Sequence, residues 1–224
     1  MNRKGFLVLV IVAVMAASSN TFAQMPEFKL SAGAGGYFTS DFGGGYDWTM
    51  AGFRDKLQFP YAGGGGFVFF DATFAELSFG FFGAGGDAKY TSYSGGTGTS
   101  YNYDVSHTGL DIGVLGKYPF ALTEQFTLFP LLGITYRHII SLKDNINFGV
   151  GPKNPGDLST LWFKLGAGAD YAFTEHIFAR LGILYGLRLA NKFEKDMISY
   201  SGYTNTKTLL GHGLDVKLAV GYQF

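Results

Sequence analysis

Apolar and polar positions alternate with a period of two along most of this chain. From Ser159 one parity reads Leu161, Phe163, Leu165, Ala167, Ala169 and Tyr171, and the other reads Trp162, Lys164, Gly166, Gly168 and Asp170. The next stretch sets Ile177, Ala179, Leu181, Ile183, Tyr185, Leu187 and Leu189 against Phe178, Arg180, Gly182, Leu184, Gly186 and Arg188. The last sets Leu210, His212, Leu214, Val216, Leu218, Val220, Tyr222 and Phe224 against Gly211, Gly213, Asp215, Lys217, Ala219, Gly221 and Gln223. A period of two sends successive side chains to opposite faces of a strand, whereas a helix would scatter Lys164 and Asp170 around its axis.

The pattern predicts eight strands, over 27–38, 61–70, 74–87, 106–118, 125–140, 159–173, 177–190 and 207–224. The second, which contains Gly63 to Gly66, has the weakest alternation. Most are about 10–16 residues long, where ordinary strands average about five or six and a tilted bilayer crossing needs about 9–11. Short links fall near Asp71–Thr73, Pro119–Glu124 and Thr174–His176. Long polar ones fall at Thr39–Pro60, Ala88–Val105, Ser141–Leu158 and Asn191–Thr206. Short turns at one end and long loops at the other predict an all-β fold. It is an eight-stranded antiparallel up-and-down transmembrane β-barrel with both termini at the turn end. A ten-stranded count follows instead if a long loop contains an extra hairpin.

Residues 1–23 depart from this pattern. Arg3 and Lys4 precede an unbroken apolar run of 12 residues, Phe6 to Ala17, and the segment ends Thr21-Phe22-Ala23. A basic start, a short apolar core and small residues at −3 and −1 predict a secretory signal peptide cut after Ala23, leaving 24–224 as the barrel domain. The run is too short to span a bilayer as a helix.

Composition sharpens the reading. The 34 glycines are roughly twice the average usage and disfavour long helices. With no cysteine, disulfides, thiolate metal sites, cysteine nucleophiles and lipoprotein acylation are excluded. The 17 basic residues equal the 17 acidic ones, and this balance offers no basic surface for nucleic acid.

A soluble lipocalin-type barrel would alternate in the same way, with its apolar face inward. Two features favour lipid outside. Tyr118, Phe120, Phe126, Tyr171, Phe173, Tyr222 and Phe224 cluster where the apolar faces meet the turns, as an interfacial girdle does. The chain also ends on an aromatic residue preceded by alternating apolar ones: Leu218, Val220, Tyr222, Phe224. That ending resembles the terminal assembly signal of outer-membrane proteins, and the whole chain after residue 23 is similar to the small barrels of the OmpA transmembrane, OmpX and OmpW class. The resemblance implies export to a bacterial outer membrane and a lipid environment that includes a lipopolysaccharide-type leaflet. It also implies recognition of the C-terminus by the barrel assembly machinery.

Candidate chemistry is sparse. The inward parity collects Glu76, Asp111, Lys117, Arg137, Lys164, Asp170, Arg180, Arg188, Asp215 and Lys217. An eight-stranded barrel is just wide enough for side chains to fill it, so these are expected to pair into a plug. Asp170 should face Arg180 across its hairpin, and Asp111, Lys164, Asp215 and Lys217 should lie at middle height. The alternative is a small passive channel for hydrophobic or small polar solutes.

Enzymatic lipid modification of the deacylase type needs a histidine and a serine two apart on a strand end. His107, His138, His176 and His212 all lack that serine, and no spacing suits a metal, so the chain is read as non-enzymatic and without cofactor. The glycine runs are not followed by the Lys-Ser/Thr of a phosphate loop. In strands they are expected to allow curvature, and in loops to make flexible tips. The Tyr/Ser/Gly-rich loops suit contact with a host or surface ligand. Trp48, Phe53, Leu57 and Phe59 would line an OmpW-like solute entrance.

Overall fold

The computed structural model describes residues 27–50, 53–58, 60–94, 97–144, 154–189, 191–192, 195–196 and 204–224. The expected signal peptide and Phe59 lie outside these residues. Eight antiparallel strands close a ring: β1 Leu30–Asp41, β4 Tyr61–Ala72, β5 Ala75–Ser94, β6 Thr97–Lys117, β8 Phe126–Asp144, β9 Thr160–Ala172, β10 Ile177–Arg188 and β12 Gly211–Gln223. Strand β1 pairs with β4 on one side and with β12 on the other, so no edge is left in the ring. Closure matters because an unpaired backbone amide costs several kcal/mol in lipid (about that order).

The structure extends this ring at the loop end. Strands β2 Gly45–Met50 and β3 Phe53–Gln58 form a hairpin inside the stretch expected to be a loop. It is flanked by β11 Thr204–Leu209 and the upper part of β5. An extra hairpin therefore exists, but it stands above the ring, which keeps its eight strands. Within the predicted loop 88–105, residues 88–94 and 97–105 are instead strand, with β5 and β6 paired up to Ser94↔Thr97. Its tyrosines, threonines and serines are good strand formers, and Tyr90 opposite Tyr101 and Thr91 opposite Ser100 make cross-strand pairs. A two-residue β7, Phe120–Ala121, pairs with β8 within a turn, and a short 3-10 helix spans Pro155–Leu158.

Outward positions carry the apolar belt, including Phe38, Phe81, Leu110, Ile134, Leu165 and Val220, each at least 40 % exposed. Ring pairs Tyr118–Phe120, Tyr171–Phe173 and Tyr222–Phe224, with centroids 5.1–5.4 Å apart, band the turn end. The inward face is aromatic as well as charged: Phe67, Phe69, Phe82, Phe129 and Phe178 are buried there.

Glycines make room for these rings. Phe69, Phe82, Phe129 and Phe178 stand directly opposite Gly33, Gly109, Gly168 and Gly221 on the neighbouring strands. Each ring occupies the space where a Cβ on its glycine would sit, the arrangement by which an aromatic side chain covers a bare strand backbone. The loop-end run Gly43, Gly44 and Gly45 forms the bend between β1 and β2. All three have positive φ, at 102°, 97° and 135°, and turn the chain sharply from β1 into β2, a bend that L side chains resist.

Gly168→Val should displace the Phe129 ring and destabilise the folded barrel by about 1–3 kcal/mol, the usual cost of overpacking. Urea titration in lipid vesicles measures this. Gly36→Ala serves as the control, because its new Cβ would meet nothing nearer than the Gly65 carbonyl oxygen at 3.6 Å.

Candidate functional site

The lumen is crossed by side-chain layers built from inward positions on every ring strand. Nearest the turn end, Arg180 on β10 donates Nε to Asp170 Oδ1 and Nη2 to Asp170 Oδ2, both at 2.7 Å. Its Nη1 reaches Glu76 Oε2 at 2.8 Å, and Nη2 also lies 2.6 Å from Asp71 Oδ2. Lys117 pairs with Asp71, and Lys217 approaches Glu76 at 3.8 Å. One guanidinium thus ties together carboxylates from β4, β5 and β9. The same group lies over the rings of Phe69, Phe129 and Phe178 at 4.6, 5.1 and 5.2 Å, so an aromatic face takes the sides that carboxylates leave open.

At middle height Arg137 grips Asp111 through two hydrogen bonds of 2.9 and 3.0 Å. Tyr37 donates its hydroxyl to the same carboxylate at 2.9 Å. Lys164 donates to Asp215 at 2.7 Å. Thr39 joins the two pairs: it accepts from Arg137 Nη2 at 3.2 Å and donates to Asp215 Oδ1 at 2.7 Å. Arg137, Lys164 and Trp162 are each 1 % exposed. At the loop end Arg188 Nε stands 3.7 Å from Asp41 Oδ2, a looser pair.

All ten charged residues of the inward parity fall inside the ring, and each has an opposite charge within 4 Å. Asp170 faces Arg180 in register. Lys217 departs from the expected middle group, since its ammonium reaches toward Glu76 in the lower layer. Sequence reasoning missed Asp41, Asp71, Tyr37 and Thr39. The sequence pattern puts Asp71 in a turn and Asp41 in a loop, one and three residues past the predicted strand ends. Continuing the β1 parity through Tyr37 and Thr39 to Asp41 would have found three of the four. With Asp41 and Asp71 included, the described residues place six carboxylates (Asp41, Asp71, Glu76, Asp111, Asp170, Asp215) and six cations (Lys117, Arg137, Lys164, Arg180, Arg188, Lys217) in the lumen. Below the Arg180 layer, a cavity of about 660 Å³ opens at the turn end.

The histidines are dispersed. His107 is buried, edge-on to Tyr61 at 4.5 Å and Phe82 at 5.6 Å. His176 contacts the Gln223 carbonyl at 3.1 Å and stacks on Tyr222. His212 leans on Tyr185 and Phe42. His138 does meet a serine that sequence spacing could not reveal: Ser159, on the chain just before β9, lies 3.0 Å from its Nδ1. That serine oxygen also accepts the Ile139 amide at 3.1 Å, where the pairing of β6 with β8 slips by one residue. No carboxylate orients His138 among the described residues, and none of them form a group of three metal-ligating side chains.

Above the ring, Trp48, Leu57 and Phe53 share the inner face of the added sheet by register. Among the described residues they do not line one opening: Trp48 is 8 % exposed and packs against Tyr90 at 6.3 Å, while Phe53 sits 46 % exposed at the hairpin end. Tyr90 donates to Asp55 at 3.0 Å. On the opposite face Arg54 binds both oxygens of Asp47, its Nε at 2.9 Å. Those bonds, with the nearby charges of Arg54, Lys56 and Lys207, hold the Asp47 carboxyl below the usual carboxylate range. At the other end, Leu218, Val220 and Tyr222 face outward along β12 and Phe224, just past its end, is exposed as well.

Solved structures of similar shape include OprG from Pseudomonas aeruginosa, at 11 % identity and a TM-score of 0.46, covering 89 % of this chain and 97 % of that one. Ail from Yersinia pestis, solved with the heparin analogue sucrose octasulfate, gives 13 % and 0.41 over 89 % and 100 %. The outer membrane protease OmpT from Escherichia coli gives 9 % and 0.40 over 90 % and 99 %. No curated protein sequence matches the chain. A family model described as the outer membrane protein beta-barrel domain matches residues 5–224, so this chain belongs to that family of bacterial outer-membrane barrels.

Proposed function

We propose that this protein is a non-enzymatic surface barrel whose lumen is sealed by its own side chains and whose contacts are made by the sheet above the ring. In this family's membrane the short turns face the periplasm, which puts that sheet outside the cell. The observation that carries the reading is the continuous middle layer, in which Thr39 links the Arg137–Asp111 pair to the Lys164–Asp215 pair. A permeating ion would have to part buried, hydrogen-bonded charges, and breaking such a pair costs about 3–5 kcal/mol. Catalysis finds less support. Ser159 is engaged by the Ile139 amide, and His138 lacks a partner that would orient it as a base. The outward side chains of Leu218, Val220, Tyr222 and Phe224 are consistent with a C-terminal assembly signal.

A passive channel is the second reading, favoured by the periplasmic cavity and by the looser Asp41–Arg188 pair at the outer end. The two readings separate in liposomes. The sealed barrel should pass small polar or hydrophobic solutes no faster than empty vesicles do, and size-dependent flux through the wild-type protein would make it a channel. Lys164→Ala, which removes one cation of the middle layer, should create a conductance that prefers cations, because Asp215 is then uncompensated. Planar-bilayer recording reads the effect, and an unchanged, silent bilayer would locate the seal in another layer.

A further inference from the structure

Cross-strand register arranges the outward side chains of the extracellular sheet in rows. Lys207, Asp47 and Lys56 stand side by side on β11, β2 and β3. Arg54 lies one row farther from the ring, opposite Tyr93, and Lys89 one row nearer, opposite Gln58. Neighbouring strands are about 4.8 Å apart, so Lys207 and Lys56 flank Asp47 about 10 Å from each other. Lys89 is diagonal to Lys56, at about 7–8 Å. Four cations thus share this face with Asp47, both of whose oxygens Arg54 occupies, and with Asp87 and Asp104 at its ring-side edge.

The ammonium groups of Lys56, Lys89 and Lys207 make no hydrogen bond or ion pair among the described residues. Lys89 and Lys207 are exposed and Lys56 is half-buried. Asp87 and Asp104, opposite each other two residues nearer the ring, form the lower border of the patch.

Height and direction narrow the partner. The outward apolar run of β5 ends with Phe81, and Lys89 lies eight residues beyond it. With a rise of about 3.4 Å per residue and a tilt near 45°, that is about 19 Å above the Phe81 ring. The patch therefore stands above the hydrocarbon, at the level of the saccharide head groups of the outer leaflet. It points away from the barrel axis, toward lateral neighbours rather than toward solutes that approach the lumen.

We propose that this face binds an anionic saccharide, specifically the phosphorylated core of the leaflet's own glycolipid, with Lys56, Lys89 and Lys207 as its cationic contacts. Spacings of about 7–10 Å let one phosphate bridge two flexible lysines, or let two phosphates on adjacent sugars each take one. Single exposed ion pairs are weak, so affinity comes from the three acting together and falls as salt rises. The proposal rests on the orientation of the barrel and not on whether its lumen conducts.

The test uses the protein purified from outer membranes and placed in phosphatidylcholine nanodiscs. It is titrated calorimetrically at low salt with lipid-free phosphorylated core oligosaccharide. The triple variant K56Q/K89Q/K207Q should bind about tenfold more weakly, as the sum of three exposed contacts. Lys192→Gln, whose ammonium pairs with Asp157 away from the patch, should leave binding unchanged. Phosphatase-treated oligosaccharide should lose affinity to a similar degree. Lys89, Lys192 and Lys207 are exposed and Lys56 is half-buried, and heat-modifiable gel mobility verifies that each variant is folded. Equal binding by the triple variant, or by the dephosphorylated saccharide, would overturn the proposal. So would binding of a heparin fragment with none of the core oligosaccharide, an outcome that would point to a soluble sulfated partner.

Discussion

A charge inside an eight-stranded barrel has no solvent of its own, so it must be satisfied by the side chains around it. Arg180 shows how completely this can be done. Its guanidinium touches the carboxylates of Asp71, Glu76 and Asp170 and lies over three phenyl rings. Most of the interior follows from that demand. The planar fork of arginine suits several carboxylates at once, which explains an arginine at the hub while Lys117 and Lys217 stand at its rim.

The same demand shapes the backbone. Rings that sandwich a guanidinium need space, and a strand can give it only where it has no Cβ. The opposed Phe–Gly pairs at 69 and 33, 82 and 109, 129 and 168, and 178 and 221 join the two requirements. High glycine content and a charged lumen are therefore one feature. The glycine lets the ring lie flat, the ring covers the cation, and the cation holds carboxylates contributed by distant strands.

Outside the ring the chemistry changes because water returns. The added sheet of β2, β3, β11 and the upper halves of β5 and β6 buries Trp48 beside Tyr90 on its inner face. On its outer face the ammonium groups of Lys56, Lys89 and Lys207 make no hydrogen bond or ion pair among the described residues, which a lumen position would not tolerate. Among the described residues the interior thus balances its own charges, whereas the outer face of the added sheet presents cationic groups to solvent.

Alternation by itself determined the class, the ring strands to within a few residues at most ends, and which charged residues face inward, because a period of two sorts side chains without any knowledge of the partner strand. It even placed Asp170 opposite Arg180, since a short hairpin sets its own register. Tertiary structure decided the rest. Asp71 sits at a strand end, where alternation fades into turn composition, and only closure of the ring carries its carboxylate inside, whereas Asp41 keeps the β1 parity beyond the predicted end of that strand. Ser159 reaches His138 through the pairing of strands that no sequence spacing encodes. The Tyr- and Ser-rich stretch from 88 to 105 reads as loop by its polarity. It becomes strand because β5 and β6 are already paired beneath it and each further residue can zip onto the last.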